Sequence, residues 1–239
     1  MMKNITTIAR RELGAYFNSP IAYVVVAVFL LLSALLFFSA LFIQAQAELR
    51  ELFDGFWTTL LVAIVGPAIT MRLLAEERSN ETLETLLTLP VTDWQVVAGK
   101  YLAAVGLFGF AMVMMLFFGV TVAMLGPLDK GPAFAGFLGL FLVGSTYMAV
   151  GLMTSSFTKN QIVAFIGAVL ICLMMWLIGK VVQVFPPTVQ PFLDWLGVDR
   201  HLGNMARGVI DTRDLLYFGT LITSCLLVTQ ATLESRRWR

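Results

Sequence analysis

The chain has 239 residues, of which 59% are hydrophobic and 13% charged, with 16 Lys/Arg against 15 Asp/Glu and a net charge of +1. Globular domains carry about 25% charged residues, and so few cannot cover a water-facing surface, which excludes a soluble enzyme, a disordered chain and a disulfide-stapled secreted module. Sparse charges of both signs give no nucleic-acid footprint. Cys172 and Cys225 sit inside apolar runs and His201 is the single histidine, so no metal site is expected.

Residues 3–17 place Ile5, Ile8, Ala9, Leu13 and Tyr16 at helical spacing opposite Lys3, Arg10 and Arg11, which predicts an interfacial amphipathic helix. Asn18-Ser19-Pro20 then opens the first of six spans, expected at about 21–43, 55–75, 101–125, 133–155, 160–180 and 214–233. A span needs about 20 apolar residues to cross about 30 Å of hydrocarbon. The first span is expected to be retained despite Ala45-Gln46-Ala47 after it, since the apolar part of a secretory signal is only about 7–15 residues long. Gly66-Pro67 should loosen the second span and make a hinge. The fold class expected is an all-α integral membrane protein, one membrane domain over residues 1–239.

The densest polar stretch is the connection between the second and third spans, with a loop over 76–93 at its centre. Asn80 to Leu89 reads as a short amphipathic helix, Leu83, Leu86 and Leu87 on one face and Glu77, Glu81 and Glu84 on another, stopped by Pro90. Thr92 and Gln95 have capping-box spacing and Val91 with Val96 that of a hydrophobic staple, so another helix starts at Asp93 and runs into the third span. A helical hairpin joined to two spans makes a lever. The same charges also fit a merely solvated connection.

The connection before the sixth span is too apolar for a free loop. Pro186, Pro187 and Pro191 break it, Asp199 can cap a helix, and Leu202, Met205, Ala206 and Val209 share a stripe, so 185–210 reads as an outer re-entrant helical segment. Asp211 caps the sixth span. With both termini on one side, that side holds Lys3, Arg10, Arg11, Arg72, Arg78, Lys100, Lys159, Arg236, Arg237 and Arg239, against Arg50, Lys130, Lys180, Arg200, Arg207 and Arg213. The bias predicts cytoplasmic termini. Trp57, Trp94, Trp176, Trp195 and Trp238 fall near span ends, as an aromatic belt requires.

The span interiors hold hydroxyls and amides rather than ionisable groups, which argues against an ion-coupled secondary transporter. There is no GxxxxGK[ST] phosphate loop, no HExxH and no Ser/His/Asp set, so the chain is not expected to be an enzyme by itself, or to hold a cofactor.

The run Pro67, Met71-Arg72, Glu76-Glu77-Arg78, Glu81-Thr82-Leu83-Glu84-Thr85-Leu86-Leu87, Leu89-Pro90-Val91 resembles the inner-loop signature of ABC-2 type transporter permeases. The stretches Ala206 to Asp214 and Glu234 to Arg239 resemble the gliding-motility branch of that family. The resemblance implies a multi-pass protein of the bacterial inner membrane that pairs with a second permease chain, like or unlike. Each chain of the pair docks an ATPase subunit, which binds the ATP and Mg. It further implies that Glu76, Glu77, Arg78, Glu81, Thr82, Leu83, Glu84, Leu86 and Leu87 form the coupling site for that subunit. Ser79-Asn80 departs from the pattern, since many relatives have Gly just before the Thr. Export driven by the partner's ATP hydrolysis is the function implied. The alternative is a membrane scaffold or assembly subunit passing ATPase motion to an envelope machine, through a periplasmic partner at the outer segment. No substrate is legible.

Overall fold

The second and fourth of the apolar helices form the centre of the bundle. In the computed structural model, which describes residues 2–43, 49, 52–53, 55–80, 91–126 and 129–237, all regular structure is helical. The helices are α1 (Met2–Phe17), α2 (Pro20–Ile43), α3 (Phe56–Thr70), α4 (Arg72–Ser79), α5 (Asp93–Leu125), α6 (Lys130–Phe157), α7 (Gln161–Val181), α8 (Gln190–Leu196), α9 (Val198–Ala206) and α10 (Thr212–Arg237). Among the described residues six stretches are long and apolar enough to cross a membrane: Pro20–Ser39, Phe56–Ser79, Asp93–Leu125, Lys130–Phe157, Gln161–Val181 and Thr212–Ser235. Their most apolar windows are 72% buried in the second and 67% in the fourth, but only 22% in the first and fifth. The composition that overfilled a soluble core is thus displayed outward, on α2, α7 and α10.

Helix α6 packs on α3, α5, α7, α9 and α10. Its glycines allow this: a Cβ at Gly136 would strike the Phe53 ring, at Gly144 the Phe108 ring, and at Gly139 the Met205 side chain. Sequence spacing marks Ala135, Gly139, Ser145 and Ala149 as small residues for close packing. Gly136 and Gly144 prove to be the tighter approaches.

Helix α1 lies along the first half of α5, its apolar stripe turned to that helix. Ile8 fills the space over Gly99 and Leu13 that over Gly106, seven residues on and so on the same face. The stripe read as a membrane contact is therefore covered by protein at these two positions. Helix α5 is 33 residues, about 50 Å at 1.5 Å per residue. It begins at Asp93 behind the capping box of Thr92 and Gln95, whose Oε1 accepts from the Thr92 amide at 3.3 Å.

Gly66 and Pro67 are both buried against α6, Gly66 at Tyr147 and Pro67 beside Gly151. The helix carries on past them and is interrupted one turn later, at Met71. There Ser155 of α6 inserts its hydroxyl, accepting from the Leu74 and Ala75 amides at 3.2 and 2.9 Å and donating to the Met71 carbonyl at 2.8 Å. A hydroxyl inserted into the i to i−4 ladder is an established cause of helix bending.

Helix α9 buries Val198, Leu202, Met205 and Ala206, but Val209, expected on the same stripe, is 57% exposed. The helix has ended by then. Gly208, at φ +89°, closes a Schellman turn in which the Val209 amide donates to the Asn204 carbonyl and that of Gly208 to the Met205 carbonyl. Asp199, expected as a cap, lies within the first turn and pairs with Lys180 at 2.8 Å. Asp211 does cap α10, accepting from the Arg213 amide at 3.0 Å.

Candidate functional site

At the α1 end of the bundle, Lys100 of α5 is 1% exposed and lies between two carboxylates from different helices. Its Nζ donates to Glu77 Oε1 of α4 at 2.7 Å and to Glu12 Oε1 of α1 at 3.3 Å. Arg11 adds a second cation, 2.7 Å from Glu12 and 3.9 Å from Glu77. An ammonium so deeply buried is tolerable only because both carboxylates meet it. Three helices far apart in the chain are thereby tied at one atom.

Neighbouring contacts extend the tie. Tyr16 donates to the Ile69 carbonyl at 2.6 Å, fixing the end of α1 to the end of α3, and Arg72 lies over the Tyr16 ring at 5.4 Å. Burial pushes the Tyr16 phenol well above its ordinary range. Asn4 donates to Gln95 at 3.2 Å, so the residue that caps α5 also holds α1. Glu12, Tyr16, Arg72, Glu76, Glu77 and Lys100 help to line a cavity of about 350 Å³.

Burial by itself would raise the Glu12 carboxyl, but Lys100 and Arg11 outweigh it and hold the group below the usual glutamate range. The hydrogen bond to Glu12 raises Arg11 in turn. A carboxyl lowered by folding stabilises the folded state above its unfolded value, about 4.3, and that contribution is lost as pH falls through the lower folded value. Below the ordinary glutamate range, amide exchange in residues 2–17 should therefore accelerate ahead of the spans. Hydrogen exchange across an acid series checks this, and Glu12→Gln should flatten the response.

The residues singled out in the sequence separate here. Glu76 is exposed, Glu77 turns inward to Lys100, and Arg78 is buried, donating to the Ser156 carbonyl at 2.7 Å. Asn80 closes α4. Glu81, Thr82, Leu83, Glu84, Leu86 and Leu87 lie outside the described residues, as does most of the helix expected at 80–89. Lys100 and Glu12 were missed. The capping box already placed Lys100 two turns into a helix, but nothing in the sequence pairs it with a residue 88 positions earlier.

A second polar centre lies at the far end. His201 of α9 and Asp214 of α10 are both buried, with Nδ1 2.6 Å from Oδ1, while the other ring nitrogen is 2.9 Å from the Trp195 carbonyl. A carbonyl only accepts, so Nε2–H is the donor to Trp195, and Nδ1 faces the Asp214 carboxyl. The imidazole stacks on Tyr217 at 3.9 Å, whose hydroxyl donates to the Leu196 carbonyl at 2.6 Å. Among the described residues no cluster of His, Cys, Asp and Glu could hold a metal ion.

The arrangement offers structural ties at both ends of an apolar bundle. The probable multidrug ABC transporter permease YbhR of Escherichia coli (strain K12) is 28% identical over 158 residues, covering 62% of this chain and 41% of that protein. The protein of the same description from Escherichia coli O157:H7 matches to the same extent. The chain spans about two fifths of the length of these relatives. The sequence model of ABC-2 family transporter proteins matches residues 6–201, most of the chain. With six helices able to cross a membrane and a family match over most of its length, the chain belongs to the ABC-2 transporter family.

Proposed function

We propose that this chain is a permease subunit of an ABC transporter, its membrane helices driven by an ATPase on another chain. One observation carries the reading: Glu77 and Lys100, 2.7 Å apart, join the two helices that flank the segment 81–90. A push on that segment enters α4 and α5 together and passes through Met71 and Ser155 into α6.

In this reading the ATPase subunit binds ATP and Mg and docks on Glu81, Thr82 and Glu84, with Leu83, Leu86 and Leu87 supplying the apolar face. Glu77 and Arg78 belong to the frame behind that face, since both side chains turn into the bundle. Nucleotide-driven closure biases a permease pair between two states, and α3 hinges between Gly66-Pro67 and Met71. The termini face the cytoplasm of a bacterial inner membrane, in keeping with the Lys/Arg bias, and transport runs outward. The gliding-motility resemblance of the C-terminal stretches supports that branch, with the segment 185–210 offered to a periplasmic partner.

Charge reversal at Glu81 and Glu84 tests the coupling. Permease reconstituted with its ATPase in nanodiscs should lose stimulated ATP turnover while the amount of membrane-inserted protein stays unchanged. Turnover equal to wild type would sink the assignment.

A further inference from the structure

The cavity at the α1 end contains two charges that the Lys100 tie does not use. Arg72 and Glu76, four residues apart on α4, both line it, and among the described residues neither makes an ion pair or a side-chain hydrogen bond. Neighbours at this spacing could pair with one another, but the guanidinium is drawn away over the Tyr16 ring. One cation and one anion are thus left separated at the same opening.

We infer that this cavity holds the headgroup of a phospholipid carrying both a phosphate and a primary ammonium, with the phosphate on Arg72 and the ammonium on Glu76. The guanidinium is a fork of donors suited to phosphate oxygens. The carboxylate accepts hydrogen bonds from an ammonium, which a quaternary amine cannot donate.

The remaining charges around the cavity are already compensated: Lys100 and Arg11 against Glu12 and Glu77. Among the described residues the site is neutral overall, so a zwitterion fits it better than a net anion. The Tyr16 face is occupied by Arg72, which leaves no aromatic cage for choline. Ser19 lines the cavity one residue before Pro20, where the first span begins, placing the site at headgroup depth. The opening turns of α2 expose Ile21, Tyr23 and Val24 as apolar surface for acyl chains. The inference rests on the membrane-spanning architecture and not on ATPase coupling.

The test is native mass spectrometry of the full chain in detergent, titrated separately with phosphatidylethanolamine, phosphatidylcholine and phosphatidylglycerol, with no ATPase present. Wild type should retain phosphatidylethanolamine at least about tenfold better than the other two, the worth of one charge-assisted hydrogen bond. Glu76→Gln should bring phosphatidylethanolamine down to the level of phosphatidylcholine. Arg72→Gln should weaken all three, with thermal unfolding reporting that each variant is folded. Equal lipid retention by wild type and both variants would overturn the site, since only annular lipid would then be counted. Binding of glycerophosphoethanolamine, which lacks acyl chains, as tightly as the lipid would overturn the assignment to a membrane lipid.

Discussion

Lys100→Met is expected to destabilise the bundle by about 3 kcal/mol, the lower end of the range for removing one partner of a buried ion pair. The substitution keeps the length and apolar stem of the side chain but leaves Glu12 and Glu77 with one cation fewer. Those carboxylates are only 14% and 19% exposed, so water recovers little of the loss. Arg11 is 55% exposed and can still serve Glu12, which is why the lower end applies. Thermal unfolding in detergent measures the loss. The triple variant Lys100→Met, Glu12→Gln, Glu77→Gln should recover much of it, because no buried charge is then left unmatched. A single variant as stable as wild type would show that the tie contributes nothing.

The second large effect is expected from His201→Ala, at about 3–5 kcal/mol. Removing the ring leaves Asp214 buried with Asn204 at 3.5 Å as its remaining side-chain partner, and strips the stacked face of Tyr217. Asp214→Asn should cost less, since the ring keeps its bond to Trp195 and an amide replaces the carboxylate. The damage should be local. Hydrogen exchange in α9 should rise strongly while α3 and α6 stay protected, and His201→Phe with Asp214→Leu together should restore much of the protection. Uniform loss of protection across the spans would mean that the pair holds the whole bundle rather than the 190–206 region.

The sequence revealed whatever depends on neighbours along the chain. Long charge-free runs in a chain so poor in polar residues have one stable environment, and the six helices able to cross a membrane follow from that. The Thr92 and Gln95 spacing marked the start of α5, and Asp211 the start of α10. Contacts between distant positions left no such trace. Lys100 looked like an inner-surface charge on the helix leading into the third span, because hydropathy sets any lysine outside a span, and its partners come from α1 and α4. A lone histidine suggested no site, yet one carboxylate is enough to make a buried polar centre. Val209 fitted the period of α9, but the left-handed Gly208 overrode it, and periodicity cannot see where a helix turns off. The family resemblance rested on 67–91 together with the stretches 206–214 and 234–239, and the family match, over residues 6–201, covers the first of these.

The Ser155 hydroxyl at the start of α4 limits the kind of movement that segment can make. Three hydrogen bonds to a single oxygen leave α4 unable to spin about its own axis unless all three break. They still permit α4 to swing with α6 as one piece. Torque on α4 would therefore be passed to α6 through that one oxygen, and α6 touches most of the other helices.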